Sequence, residues 1–181
     1  IADQGFGSIS VEPVVSEPGT SYSLREEDLP RIFAEYERLA EQMLKRRDFN
    51  FFHFNVDLSQ GPCVIKRMRG CGAGCEYVAV TPEGDIYPCH QFVGNLEYRL
   101  GNITDGTFDM SISDRFSALN IYTREDCKHC WARFYCSGGC SASNLLVNGD
   151  IAKPHFVGCE MERKRLECAI AMKAIEACSN S

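Results

Sequence analysis

The sequence predicts an α+β chain in two parts: a strand–helix–strand segment over residues 1–60, and a cysteine-rich region over residues 61–181 with a β-hairpin, metal-binding loops and a C-terminal helix. Three observations carry this expectation. Residues 6–15 and 51–58 alternate with period two, and between them lies an apolar stripe at spacings of three and four. Strand, helix, strand is the half-unit of an α/β layer. From Gly61 onward the periodic pattern gives way to glycine and cysteine, with seven of the eleven cysteines in a spaced framework.

The first strand is read in FGSISVEPVV, residues 6–15, and Pro18-Gly19 marks a turn after it. Asp28 is placed to cap the helix, with Pro30 in the first turn, where a missing amide proton costs little. Leu29, Ile32, Phe33, Tyr36, Leu39, Ala40, Met43 and Leu44 form one stripe. Lys45, Arg46 and Arg47 then set positive charge at the helix's negative end. In FFHFNVDL, alternation puts Phe52, Phe54, Val56 and Leu58 on one face and Phe51, His53, Asn55 and Asp57 on the other. A chain that opens so abruptly before a strand reads as a piece of something longer.

Gly70-Cys71-Gly72-Ala73-Gly74-Cys75 is too rich in glycine for a stable helix and suits backbone folded tightly around a bulky group. Residues 76–81 and 85–88 flank Pro82-Glu83-Gly84 as a short hairpin. Residues 92–100 suggest a further strand, and residues 102–121 carry only weak signals. Residues 126–140 hold four cysteines in fifteen positions, so metal rather than periodic burial is expected to shape them. Residues 160–178 form the last helix, with Met161, Leu166, Ala169, Ile170 and Ala174 turned inward.

An apolar fraction of 44% is that of a folded chain, and 181 residues can bury one respectable core or two small ones. The formal charge of −6 argues against a nucleic-acid surface. No apolar run is long enough to span a bilayer, and no signal-peptide pattern opens the chain. An odd cysteine count with C-x2-C spacing suits a reducing cytoplasm better than a secreted disulfide framework. The expected location is therefore cytoplasmic, with neither membrane nor nucleic acid as a partner.

The framework consists of Cys71, Gly84 and Cys89, then Cys127, Cys130, Cys136 and Cys140, then Cys159, with Cys75 beside Cys71 as an eighth thiol. Thiolates are soft ligands, and four of them suit either zinc or an iron–sulfur cluster. Eight are enough for two such sites, and their crowding points first to iron–sulfur clusters. Cys127 and Cys130 can reach one centre from a single tight turn. Cys136 and Cys140 lie too far along for a pairwise zinc knuckle, whereas neighbouring cysteines can serve different clusters. Cys168 and Cys178, along the final helix, read as small buried hydrophobes. Cys63 in Gly61-Pro62-Cys63 is either packing or a reactive thiol.

His90 and His129 adjoin the framework and are placed to donate hydrogen bonds to cluster sulfur. His53, with Asn55 and Asp57, faces either a substrate or water. Trp131, Phe134 and Tyr135 suit an apolar shell around a metal centre rather than stacking on bases. Two competing functions are a zinc-stabilised peptide-binding module and a small ferredoxin-like electron carrier. The carrier has no need of a strand–helix–strand preface.

The arrangement C-x12-G-x4-C, C-x2-C-x5-C-x3-C, C resembles the SPASM domain at the C-terminus of many radical S-adenosylmethionine (SAM) enzymes. CGAGCEY at residues 71–77, TPEGDIYPCHQFVG at 81–94 and CSGGC at 136–140 resemble, more narrowly, maturases of ribosomally made peptides. Among these, the likeness is to the maturases that build thioether links in the six-cysteine SCIFF peptide, and it runs to about Ala171.

The resemblance implies two auxiliary [4Fe–4S] clusters. Cys71, Cys89 and Cys140 would hold the first, and Cys127, Cys130, Cys136 and Cys159 the second. In such enzymes the fourth iron of the first cluster is either filled by another cysteine, for which Cys75 is the local candidate, or left open to a substrate thiol. Residues 1–60 would be the last strands and helix of a partial TIM barrel, with Glu12, His53, Asn55 and Asp57 on its substrate side. SAM and a third [4Fe–4S] cluster would belong to the remainder of the radical SAM barrel. The C-x3-C-x2-C motif for that cluster is not in these 181 residues, so this chain by itself is not expected to cleave SAM. The implied partner is a cysteine-containing precursor peptide. The implied activity is that of an oxidoreductase forming thioethers, with the auxiliary clusters serving electron transfer and substrate positioning.

Overall fold

The stripe at residues 29–44 folds as α1 (Leu29–Lys45), seventeen residues whose Leu29, Tyr36, Ala40 and Met43 are buried. The computed structural model describes residues 1–57 and 68–179, which group into two units: residues 1–57 with 155–179, and residues 68–154. The N-terminal unit pairs β1 (Ser8–Ile9) in parallel with β2 (Asn50–Phe51), Ser8 opposite Asn50 and Ile9 opposite Phe51. Only these two residues of the expected strand at 6–15 join the ladder; Val11 and Val14 are exposed, and Pro13 has no amide proton to give. Asp28 is the residue before α1, but its carboxylate accepts the Arg25 amide at 2.9 Å and so closes the preceding 3₁₀ turn rather than the helix.

The expected alternation after residue 50 is corrected by a turn. The chain winds into a 3₁₀ helix at Phe52–Phe54, where residues three apart share a side. Phe51 and Phe54 therefore both point inward, their rings edge-to-face at 5.0 Å, while Phe52 is 61% exposed. Leu58, the junction near Gly61 and Cys63 lie outside the described residues.

The terminal helix α5 (Phe156–Ser179), which sequence grouped with residues 61–181, packs on α1: its Val157, Met161, Cys168, Ala169 and Met172 share one core with Leu29, Tyr36, Ala40 and Met43. Ile170 and Ala174, expected inward, are exposed. A helix advances about 100° per residue, so a line through 161, 168, 169 and 172 turns Ile170 away. Cys168 is buried as a small hydrophobe should be, whereas Cys178 is exposed.

The unit of residues 68–154 is built on a four-stranded antiparallel sheet in the order β3 (Ala79–Val80), β4 (Asp85–Tyr87), β5 (Gly101–Asn102), β6 (Thr107–Phe108). β3 and β4 are joined through Gly84 at φ 88°, whose amide donates to the Thr81 carbonyl at 2.9 Å. The further strand expected at 92–100 is instead a pair of 3₁₀ turns, His90–Phe92 and Leu96–Tyr98. They deliver Phe92 and Tyr98 against Phe116 of α2 (Met110–Ser117), with ring centroids 5.3 and 6.1 Å from it. Burial of these aromatics outweighs strand propensity. Asp109 caps α2 by accepting from the Ser111 amide at 2.8 Å. After the short helix α3 (Arg133–Cys136), α4 (Ser141–Asn148) packs Ala142 into the same core and ends at Gly149 in the left-handed region.

If the turn at residue 52 governs packing, Phe51→Ala should cost about 3–5 kcal/mol in a denaturant melt. Phe52→Ala should stay within about 0.5 kcal/mol of the parent. The opposite ranking would restore the alternating strand.

Candidate metal centre

Glycine geometry brings the first thiols together. Gly70, Gly72 and Gly74 all have positive φ, and a Cβ on Gly70 would stand 3.2 Å from the Ser137 carbonyl oxygen. The backbone bearing Cys71 can therefore lie against the stretch between Cys136 and Cys140. The Gly74 amide donates to the carbonyls of Tyr77 (3.0 Å) and Pro88 (2.9 Å), and its own carbonyl accepts from Ser113 Oγ at 2.7 Å. These bonds fix the Cys71 loop beside Cys89. The Tyr77 phenol hydrogen-bonds both Cys71 and Cys89; burial first, and then the negative thiolates, push its pKa up to about 12. Burial raises the Cys89 thiol, Cys140 adds repulsion, and the amides of Gln91 and Phe92 work the other way by stabilising a thiolate. Cys71 and Cys89 thus share Tyr77, and Cys140 lies within electrostatic reach of Cys89. Cys75 is exposed on the same loop, its thiol donating to the Gly72 carbonyl at 3.4 Å.

A second set forms around Cys127. It ends a 3₁₀ turn, Glu125–Cys127, and its carbonyl accepts the Cys130 amide at 3.1 Å. Cys136 closes α3, after which Ser137, Gly138 and Gly139 all take positive φ. Three successive left-handed residues redirect the chain before Cys140. Burial, then Cys136, push the Cys127 thiol up to about 11, Cys130 acts in the same direction, and Arg124 offsets them. Arg133 donates through one amino group to the Lys128 and Cys130 carbonyls at 3.0 and 3.4 Å, while its Nε is buried without an acceptor.

These donors suit a thiolate-bound cluster. The thiols of Cys71, Cys75, Cys89, Cys127 and Cys140 are not in disulfides, and Arg133 offers an unfilled N–H beside the second set. Among the described residues, no three His, Cys, Asp or Glu side chains are grouped closely enough to hold a metal ion. Cys159 lies near the start of α5, its amide bonded to the His155 carbonyl at 3.0 Å.

The other expected residues separate. Glu12 Oε1 and Ser10 Oγ stand 3.0 and 3.1 Å from His53 Nε2, just beyond the C-terminal ends of β1 and β2. Arg165 of α5 reaches His53 Nδ1 at 3.5 Å and donates to the Tyr36 hydroxyl at 2.9 Å. With Nδ1 accepting, the ring proton sits on Nε2, facing Ser10 and Glu12. Asn55 and Asp57 are exposed. His90, His129 and Trp131 are exposed too, and Phe134 lies under the Arg133 guanidinium at 4.8 Å. Tyr77 and Arg165 were not singled out from sequence. Arg165 could have been: it is a charge in line with the apolar positions 161, 168, 169 and 172.

Residues 71–131 match the model of the SPASM family, described as an iron–sulfur cluster-binding domain. An uncharacterised protein of Archaeoglobus fulgidus is 30% identical over 109 residues, 59% of this chain and 24% of that protein. The fold is similar to part of anSMEcpe: the hexahistidine-tagged protein with bound AdoMet superposes with a TM-score of 0.59 at 23% identity, over 94% of this chain and 46% of that one. The native protein with bound AdoMet and Kp18Cys peptide gives 0.53 at 20% identity, over 94% and 48%. The chain thus spans a quarter of the archaeal relative and about half of each solved chain. The likeness to the SPASM iron–sulfur cluster-binding family thus rests on residues 71–131, and the likeness to anSMEcpe is one of fold. No helix among the described residues is long and apolar enough to cross a membrane.

Two outcomes follow from the electrostatics. In the metal-free chain Cys127 should resist alkylation near pH 8 and label as pH approaches about 11, well after exposed Cys178, as read by mass spectrometry. Burial and the Arg165 cation hold the His53 pKa below its ordinary value. The unfolded chain then takes up a proton that the folded unit resists, so stability is full above about pH 6.5 and falls on acidification below it. His53→Gln should flatten that loss in thermal melts between about pH 7.5 and 5.5; an unchanged slope would remove His53 as its source.

Proposed function

We propose that residues 71–140, together with Cys159, carry two auxiliary [4Fe–4S] clusters in a radical SAM oxidoreductase that matures a ribosomally made, cysteine-containing peptide by thioether formation. The observation that supports this reading is the division of the thiols: Cys71 and Cys89 share Tyr77, Cys140 lies within electrostatic reach of Cys89, and Cys130 and Cys136 lie within that of Cys127. The same division is implied by the resemblance to peptide maturases. A peptide partner is supported by the Kp18Cys peptide bound to anSMEcpe. A cytoplasmic, reducing location would keep the thiols available.

Bound clusters would supply acceptors for the electron that a substrate radical loses when the thioether closes. The chain's own residues orient and tune. Tyr77 and the amides of Gln91 and Phe92 stabilise sulfur as thiolate at the first set. Cys75 takes the fourth position of that set; its exposure on the Gly72–Gly74 turn makes it the residue that decides whether a substrate sulfur could bind there instead. Glu12 and His53 face the substrate from the strand ends, as residues there do in barrel enzymes. In this reading SAM and the cluster that cleaves it would be held by residues other than these 181.

Anaerobic reconstitution tests the assignment. The chain should hold about eight iron ions with matching sulfide, as two four-iron clusters require. Cys136→Ala should lose about half of them and loosen residues 126–140 to protease, while Cys178→Ala should lose none. Cys75→Ala should keep both clusters but change its electron paramagnetic resonance spectrum when a cysteine peptide is added. A colourless chain holding one or two zinc ions would sink the proposal in favour of a zinc-stabilised module.

A further inference from the structure

Arg124 has no role in the ligand sets just described, yet it is 5% exposed, the buried charge among the described residues 68–154. A guanidinium taken out of water needs compensating partners. Its two hydrogen bonds go to neutral groups, the Ile151 carbonyl at 2.5 Å and Ser141 Oγ at 3.0 Å. The groups within its electrostatic reach that can carry negative charge are Cys127, Asp150, Cys136 and Cys140.

The backbone is arranged around this side chain. A Cβ on Gly138 would lie 3.1 Å from Arg124 Cδ and Nε, so the left-handed stretch between Cys136 and Cys140 rests directly on the guanidinium stem. The Arg124 carbonyl accepts the Cys127 amide at 3.0 Å, and Ser141 follows Cys140 in sequence. One cation is therefore tied to Cys127 and Cys136 of one set and to Cys140 of the other.

We infer that Arg124 is a positioning residue that supplies a fixed positive charge shared by both thiolate sets, raising the reduction potential of both clusters. This rests on the cluster reading above. Reduction adds negative charge to a cluster, and a buried cation that cannot lose its proton stabilises the reduced state. A neutral glutamine in its place keeps a hydrogen-bond donor and loses that preference. Lysine keeps the charge.

The test uses the full chain, reconstituted anaerobically, with iron counted and the reduced-cluster signal followed by electron paramagnetic resonance against ambient potential. Arg124→Gln should hold the parent's iron, yet at a fixed potential its oxidised-to-reduced ratio should rise about tenfold, a downward shift of about 59 mV for one electron. Arg124→Lys should stay within about twofold of the parent. Should Arg124→Gln fail to load iron while Arg124→Lys loads fully, the requirement for charge stands. Failure of both to load, equal ratios in Arg124→Gln and the parent, or a shift in Arg124→Lys as large as in Arg124→Gln would each overturn the inference while leaving the clusters assigned. A parent chain without iron would overturn the cluster reading, and this inference with it.

Discussion

Thiolates repel one another, and a fold that gathers several of them must offset that repulsion with donors, cations and a backbone that can turn tightly. The unit of residues 68–154 meets this constraint in each way. Gly70, Gly72 and Gly74 carry one loop through left-handed conformations, and Ser137, Gly138 and Gly139 carry another. At Gly72 and Gly74 a Cβ would come within 3.0 Å of Glu76 and Phe116, so the turns are specified by absence of side chain as much as by φ. Tyr77, the amides after Cys89, and Arg124 provide the positive ends of dipoles and charges. Burial nevertheless holds Cys89 and Cys127 towards the neutral thiol in the absence of metal. Binding that requires thiolates therefore releases protons, and its free energy adds to folding.

The supporting core is small: Phe92, Tyr98, Leu100 and Phe116, with Ile86, Ile112 and Ala142 around them. It lies behind the first set, because Gly74 touches Phe116 and Cys89 itself belongs to the core. Packing and thiol placement are thus coupled at one loop.

In the N-terminal unit the same physical problem appears with opposite sign. Arg165 occupies a position on α5 that its helix would give to an apolar residue, and it is buried to 7% exposure. Tyr36 of α1 accepts from its Nε, and its ring lies 5.4 Å from the guanidinium carbon; His53 meets another nitrogen. Glu162, its carboxyl pushed up by burial and held down in part by Arg165, stands on the preceding turn. The network joins the strand ends to both helices of the unit, so the polar residues Ser10, Glu12 and His53 are positioned by packing rather than by their own loops.

Much of this was legible from residue order. The stripe of α1 reads directly because a helix's period is local, and the cysteine spacing divides into groups because tight turns bring C-x2-C together wherever they occur. The turn at Pro82-Glu83-Gly84 is local in the same sense. Asp105-Gly106 carried a comparable hairpin signal and lies between β5 and β6, although residues 102–121 read as weak. Sequence by itself determined which residue types could bind soft metal and where the chain could turn. Tertiary structure decided which face of residues 51–54 is inward, which line of α5 meets α1, that residues 92–98 wind into turns, that Tyr77 and Arg124 stand beside thiols of the cysteine framework, and that Arg165 stands beside His53. The reason is that periodicity reports only the conformation a segment prefers alone. A three-residue 3₁₀ turn, a few degrees of helix rotation or a buried arginine is set by contacts from residues distant in the chain, and no local pattern records them.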